Sequence, residues 1–188
     1  MTEFNLFELG SQKDSIEKIL REVKILAKMN SEKVVRYNHT WIENNCLFIK
    51  MECCQGNLRS LINFKPFLFD REETDPLDAL EYYINCKIFE DLLNCVHYLH
   101  ESNPPVIHRD LKPENILISK NQFNRNCLKI ADFGLATFHN LSQMVHTSKQ
   151  GTQTYMAPEL SRGDYNSKSD IYGLGRIAEE LFKVYINL

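Results

Sequence analysis

Three residues in the run "HRDLKPEN" (108–115) have the types and spacing for one piece of chemistry. Asp110 is a carboxylate able to orient an attacking hydroxyl and accept its proton, and Lys112 carries an ammonium suited to charge building on a transferred phosphoryl group. Asn115 offers a hard amide oxygen to a magnesium ion. A second run, "DFG" at 132–134, brings the Asp132 carboxylate, a further hard ligand for magnesium bridging phosphates. Either run alone would read as solvated loop residues. In order, and followed by "APE" at 157–159, they point to phosphoryl transfer.

Between the second and third runs lies "HNLSQMVHTSKQ", rich in hydroxyl groups and poor in core residues. A phosphate on Thr147 or Ser148 is expected to meet Arg109 and Lys129 or Lys149, ordering this stretch by charge-assisted hydrogen bonds.

The elements that must hold these residues follow from periodicity. Residues 11–29 place Ile16, Ile19, Leu20, Val23, Ile25, Leu26 and Met29 at helical spacing, with Ser11 or Asp14 as cap. "VVRYNHTWIE" and "CLFIKMEC" are β-branched and aromatic runs joined by Asn44-Asn45, which predicts an antiparallel hairpin. The stretch 55–74 mixes a short helix with a polar loop and marks a boundary between two units. A long core helix is predicted next, with Asp75 and Pro76 in the cap and first-turn positions and Leu80, Ile84, Ile88, Leu92, Cys95, Val96 and Leu99 on its buried face. Short strands "NILI" and "CLKIADF", a polar stretch and a final helix from about Lys168 complete an α+β order.

Composition narrows the function. With 43% hydrophobic and 25% charged residues in a chain of 188, a packed globular core is expected rather than disorder. A net charge of -3 from interleaved charges gives no stripe for a nucleic-acid backbone or an anionic membrane. None of the six cysteines forms a C-x-x-C pair or has zinc-finger spacing, and several sit in apolar runs, which suggests reduced thiols. The amino-terminal residues lack a secretion signal and nowhere do about 18 apolar residues run together, so a cytoplasmic protein is expected.

On "HRDLKPEN", "DFG" and "APE", residues 14–182 resemble the middle of a eukaryotic protein kinase domain, and the lysine after the leucine resembles its serine/threonine branch. The resemblance implies a two-lobe fold, here with a partial small lobe (1–54) and a partial large lobe (55–188), and ATP with magnesium as its cofactors. It also implies Asp110 as catalytic base, Lys112 on the transferred phosphate, Asn115 and Asp132 on magnesium, and Glu22 as the partner of a strand lysine. Met51 is implied as gatekeeper, Glu52 and Cys54 as donors of hinge backbone groups to adenine, and Leu117 as the adenine floor. Leu26, His108 and Phe133 are implied as a regulatory spine, and Asp170 as the brace of the catalytic loop. More narrowly, "REVKILAKMNSEKVVRYNHTWIE" followed by "LFIKMECC" is similar to the kinases of the alpha subunit of translation initiation factor 2, of the amino-acid-starvation sensor type. That similarity implies this subunit as substrate, a second kinase domain as partner, and Thr147 and Thr152 as regulatory positions.

The family pattern also demands a glycine-rich loop and a strand lysine, and neither is found before the first helix. Aligning "NLFELG" with the end of the usual strand puts Asn5 where the lysine belongs, while Lys13 falls at the expected helix start. At the other end, Glu159 is expected to lack its arginine, and Leu174, Ile177, Leu181 and Phe182 are expected to face water. Two readings follow: an incomplete kinase domain, or a catalytically impaired, kinase-like binding module.

Overall fold

The computed structural model describes residues 2–5, 23–44, 46–72, 74–120, 125–133, 137–138, 153–158 and 166–184. A first unit is built on a three-stranded antiparallel sheet in the order β1-β3-β2. Strand β1 spans Thr2–Asn5, β2 Tyr37–Glu43 and β3 Cys46–Met51. The predicted hairpin joins β2 and β3, and Asn44 takes φ 49°, the left-handed value its short polar side chain tolerates. On β3, Leu47 and Ile49 alternate inward and are 3% and 1% exposed, under Val23, Tyr37 and Met51. Of the helix predicted over 11–29, residues 23–28 (α1) are described; Ile25 and Leu26 are buried.

Past the hairpin, β4 (Gly56–Asn57) leads into α2 (Leu58–Leu68), where the Asn57 side chain caps the first turn by accepting the Ser60 N–H at 2.9 Å. Helix α3 runs Ala79–His100. Two short strands follow: β5 (Val106–Ile107), and β6 (Ile116–Lys120) behind a 3-10 turn at Pro113–Asn115. β6 pairs with β7 (Asn126–Ile130) on one side and β4 on the other, and β5 pairs with β8 (Thr137–Phe138). A second 3-10 turn, Gln153–Tyr155, precedes α4, Ser167–Phe182.

Two expectations are corrected here. The cap of α3 is Asp78, whose side chain accepts the Glu81 N–H at 2.6 Å, whereas Asp75 sits in the preceding turn and accepts from Glu72 N–H. The start of the helix is consequently turned relative to the apolar pattern: Leu80 is 61% exposed while Glu81 and Asn85 are fully buried. They are buried because partners wait for them. Arg71 donates to both Glu81 oxygens at 2.7 and 2.8 Å, Lys65 Nζ donates to Asn85 Oδ1 at 2.6 Å, and Asn85 Nδ2 donates to Leu181 O at 2.7 Å.

The second correction concerns α4. Leu174, Ile177 and Leu181 do not face water; they are 3%, 0% and 0% exposed, in one core with Leu92, Cys95, Leu99 and Leu111. Phe182 is half-buried, its ring 5.4 Å from Tyr82 and 6.1 Å from Phe89. Their cover is supplied by α3.

The two units are joined by chain, by backbone hydrogen bonds and by a shared core that holds both Leu26 and Phe133. The chain crosses once between β3 and β4, and residues 33–35 are stitched to β7, with Val35 N–H donating to Ile130 O at 2.9 Å and Ile130 N–H donating to Lys33 O at 3.0 Å. No helix of the described residues is long and apolar enough to cross a membrane.

Candidate active site

The 3-10 turn at Pro113–Asn115 reverses the chain so that Asn115 comes back on Asp110. Asn115 Nδ2 donates to Asp110 O at 2.9 Å and to Asp110 Oδ2 at 3.1 Å, and Lys112 Nζ donates to the same Oδ2 at 2.8 Å. Both donors thus fall on one carboxylate oxygen. Among the described residues no hydrogen bond engages Oδ1, which is therefore the oxygen open to an incoming hydroxyl.

Asp110 is held from behind by histidine and aspartate. Asp110 N–H donates to His108 Nδ1 at 3.4 Å, and His108 Nε2 lies 2.9 Å from Ala131 O. A carbonyl only accepts, so the proton sits on Nε2 and the Nδ1 lone pair faces the amide. Asp170, in the first turn of α4 and fully buried, accepts His108 N–H at 3.0 Å on Oδ2 and Arg109 N–H at 2.8 Å on Oδ1. Between these two anchors Arg109 adopts φ 67°, a left-handed conformation that costs a non-glycine residue about 1–3 kcal/mol unless its surroundings hold it. A further ligand of this carboxylate was missed in the sequence: His100 Nε2 lies 2.7 Å from Asp170 Oδ2. No spacing rule connects the end of α3 to the start of α4, so only the fold could reveal it.

Asp132 arrives from β7. Ala131 N–H donates to Asn115 O at 2.9 Å, which fixes the backbone beside Asp132 against that of Asn115. Asp132 is exposed with φ 62°, and Phe133 next to it is fully buried with its ring 5.1 Å from that of His108, edge to face. Leu26 belongs to the same core as Phe133. The donor set suits magnesium: Asn115 spends its amide nitrogen on Asp110 and keeps its oxygen as an acceptor, and the Asp132 carboxylate is a second hard ligand.

Met51 at the end of β3 and Leu117 on β6, opposite Asn57 of β4, are half-buried against the main core. The Glu52 N–H is already committed to Arg36 O at 2.9 Å, which leaves its carbonyl, and not its N–H, for a ligand. Cys54 is half-buried, and burial followed by the Glu52 charge raises its thiol pKa.

Lys129 is corrected. It does not wait for a loop phosphate; it is 6% exposed and its Nζ pairs with Glu52 Oε1 at 2.8 Å. Glu22, Thr147, Thr152, Ser148, Lys149 and Glu159 lie outside the described residues. Asn5 ends β1 opposite Cys46, in the strand beside β3.

Sequence reasoning also missed a cluster beside the Pro113–Asn115 turn. Arg59 of α2 donates from Nε to Glu114 Oε1 at 2.8 Å, from Nη1 and Nη2 to the Glu180 carboxylate of α4, and from Nη2 to the Tyr155 hydroxyl, which itself donates to Glu180. Burial alone would raise the Glu114 carboxyl pKa, but the Arg59 hydrogen bond and the turn backbone outweigh it and hold it below the ordinary range.

Comparison with known proteins accounts for this arrangement. Residues 6–186 match the family model described as protein kinase domain. The chain is 34% identical over 166 residues to Calcium-dependent protein kinase 6 of Plasmodium berghei (strain Anka), an alignment covering 88% of this chain and 10% of that protein. It is 32% identical over 190 residues to the Interferon-induced, double-stranded RNA-activated protein kinase of Rattus norvegicus, covering 89% of this chain and 34% of the relative. It therefore spans between 10% and 34% of the length of these relatives. Among solved structures, a chain of the yeast RNA Pol II CTD kinase CTDK-1 complex superposes with a TM-score of 0.70 at 27% identity, covering 97% of this chain and 53% of that one. With the match extending over nearly its whole length, the chain belongs to the protein kinase domain family.

Proposed function

We propose that this chain carries the catalytic half of a serine/threonine protein kinase, transferring the γ-phosphate of ATP to a protein hydroxyl. The observation that carries the reading is the Asp110 carboxylate, with Oδ2 fixed by Lys112 and Asn115 and Oδ1 left for the substrate. Asp110 orients the hydroxyl and takes its proton as the oxygen attacks. Lys112, once the phosphoryl group is near, shares its ammonium between Asp110 and the phosphoryl oxygens. Asn115 and Asp132 are the residues that would hold magnesium, which when bound with ATP neutralises charge on the phosphates. Met51, Leu117, the Glu52 carbonyl and the Cys54 backbone border the adenine. Glu22, Arg109, Phe133, Thr147 and Thr152 keep regulatory roles in this proposal.

The alpha subunit of translation initiation factor 2 is the proposed substrate, on the strength of "RYNHTWIE" and "LFIKMECC", with a second kinase domain as partner and the cytoplasm as location. The test is phosphate transfer from ATP to serine and threonine peptides and to that subunit, for the wild type and Asp110→Asn. A general base contributes about 10²–10⁴-fold, and the variant should lose at least the lower figure. Equal transfer by both proteins would end this reading.

A second reading, a kinase-like binding module, is favoured by Asn5 ending the strand beside β3, where a lysine is expected. It predicts no binding of ATP with magnesium, which titration calorimetry measures directly.

A further inference from the structure

The Arg59 cluster has no role in holding Asp110, Asn115 or Asp132, yet it sits at the edge of the same turn. Glu114 lies between Lys112 and Asn115, its side chain 43% exposed. Glu180 comes from the far end of α4, and Tyr155 from the 3-10 turn at Gln153–Tyr155. Any polypeptide that brings a hydroxyl to Asp110 Oδ1 must lay its neighbouring residues against this turn. Two carboxylates at such a place are a site for a substrate arginine or lysine. In this chain the protein supplies that guanidinium itself: Arg59 engages Glu114 through Nε and Glu180 through both terminal nitrogens. Its fork meets two carboxylates and a phenol at once, a geometry that a lysine could not copy.

We infer that Arg59 is a specificity-determining residue: by occupying the Glu114 and Glu180 carboxylates it stops the site from selecting substrates with a basic residue beside the phosphorylated hydroxyl, so that basic and neutral flanking residues are accepted nearly alike. The inference rests on the kinase reading for the direction of the bound peptide and on the ion-pair geometry for the charge selectivity. A cationic substrate residue would have to displace an internal cation already bound at hydrogen-bond distance, so it gains little. Discrimination by an internal competitor is selection against a ligand, built into the fold.

The experiment measures binding, not transfer, so a chain that transfers no phosphate still answers it. Fluorescent nonapeptides with alanine in place of the acceptor serine, and with arginine, alanine or glutamate at the flanking positions, are titrated by anisotropy into the full chain, Arg59→Met and Arg59→Met/Glu114→Gln. The wild type should bind the arginine and alanine peptides within about twofold of each other. Arg59→Met should tighten the arginine peptide about tenfold, one desolvated charge pair's worth, and leave the alanine peptide unchanged. Restoring the balance with Glu114→Gln should remove most of that gain, and added salt should diminish it. Should Arg59→Met fail to melt cooperatively, Glu180→Gln answers instead: the released guanidinium should tighten the glutamate peptide. Equal affinity changes for all three peptides, no change, or no binding of any peptide to any form would each overturn the inference. Loss of phosphate transfer with the charge selectivity intact would count against the kinase reading alone.

Discussion

Replacing Asp170 by asparagine tests the link between α4 and the backbone at residues 108 and 109. The wild-type carboxylate accepts three donors: Arg109 N–H on Oδ1, and His108 N–H with His100 Nε2 on Oδ2. Asparagine keeps one acceptor oxygen. With that oxygen in the Oδ2 seat its amide nitrogen faces Arg109 N–H, donor against donor; flipped, it faces His108 N–H instead. The milder case loses one charge-assisted bond, about 1.5–3 kcal/mol, and leaves a buried N–H unsatisfied, about 1–3 kcal/mol. Relaxation of Arg109 from φ 67° returns about 1 kcal/mol or more. A net loss of about 3 kcal/mol follows, and at about 2–4 °C per kcal/mol for a domain of this size Tm should fall by about 6–12 °C. Urea denaturation gives the free energy, and hydrogen exchange at residues 108 and 109 shows where protection is lost. If Asp170→Asn melts within about 1 kcal/mol of the wild type and the residue 109 amide stays protected, the account of the brace is wrong.

Other outcomes follow from single contacts. Gly175→Ala meets nothing within 4 Å and should stabilise α4 by about 0.5–1 kcal/mol, whereas at Gly173 a Cβ would lie 3.1 Å from both Leu111 Cβ and Leu111 O, so Gly173→Ala should come out about 1–3 kcal/mol below Gly175→Ala in parallel urea melts. The Glu81 carboxyl is held below its ordinary pKa by the Arg71 hydrogen bond, against burial and with Lys65 helping. Its folded pKa thus lies below the unfolded value of about 4.3, so the stabilisation is complete above that pH and is lost as pH falls through the folded value. Glu81→Gln should melt well below the wild type at pH 7, and the gap should narrow as melts are taken at progressively lower pH beneath the unfolded value. Burial pushes the Cys95 thiol pKa up to about 12, so iodoacetamide at pH 7.5 should label exposed Cys53 in the native chain and Cys95 only after denaturation, as peptide mass mapping would show.

The contact between Asp110 and Asn115 was legible because it depends on local spacing. A turn of the "HRDLKPEN" type returns Asn115 to Asp110 within a few residues, and the hairpin needed only a pair of asparagines between two β-forming runs. The start of α4 was legible too: a helix from about Lys168 is expected, and α4 begins at Ser167. What could not be read involves partners far apart in the chain. The apolar pattern turned Leu80 inward because nothing local tells that Glu81 and Asn85 will meet Arg71, Lys65 and the Leu181 carbonyl. Lys129 looked available because its partner Glu52 lies in another unit, and the apolar face of α4 looked stranded because α3 was not yet folded against it. Arg59 stayed invisible for the same reason: its partners lie 55, 96 and 121 residues away.

The stitch between residues 33–35 and Ile130 places a clamp just ahead of Asp132. Val35 N–H donates to Ile130 O and Ile130 N–H donates to Lys33 O, two residues before Asp132 in the chain. The neighbouring Lys129 is held by Glu52, and Leu26 shares one core with Phe133. The segment leading to the carboxylate proposed to hold magnesium is thus gripped from the first unit by backbone, charge and packing together, on both sides of that carboxylate.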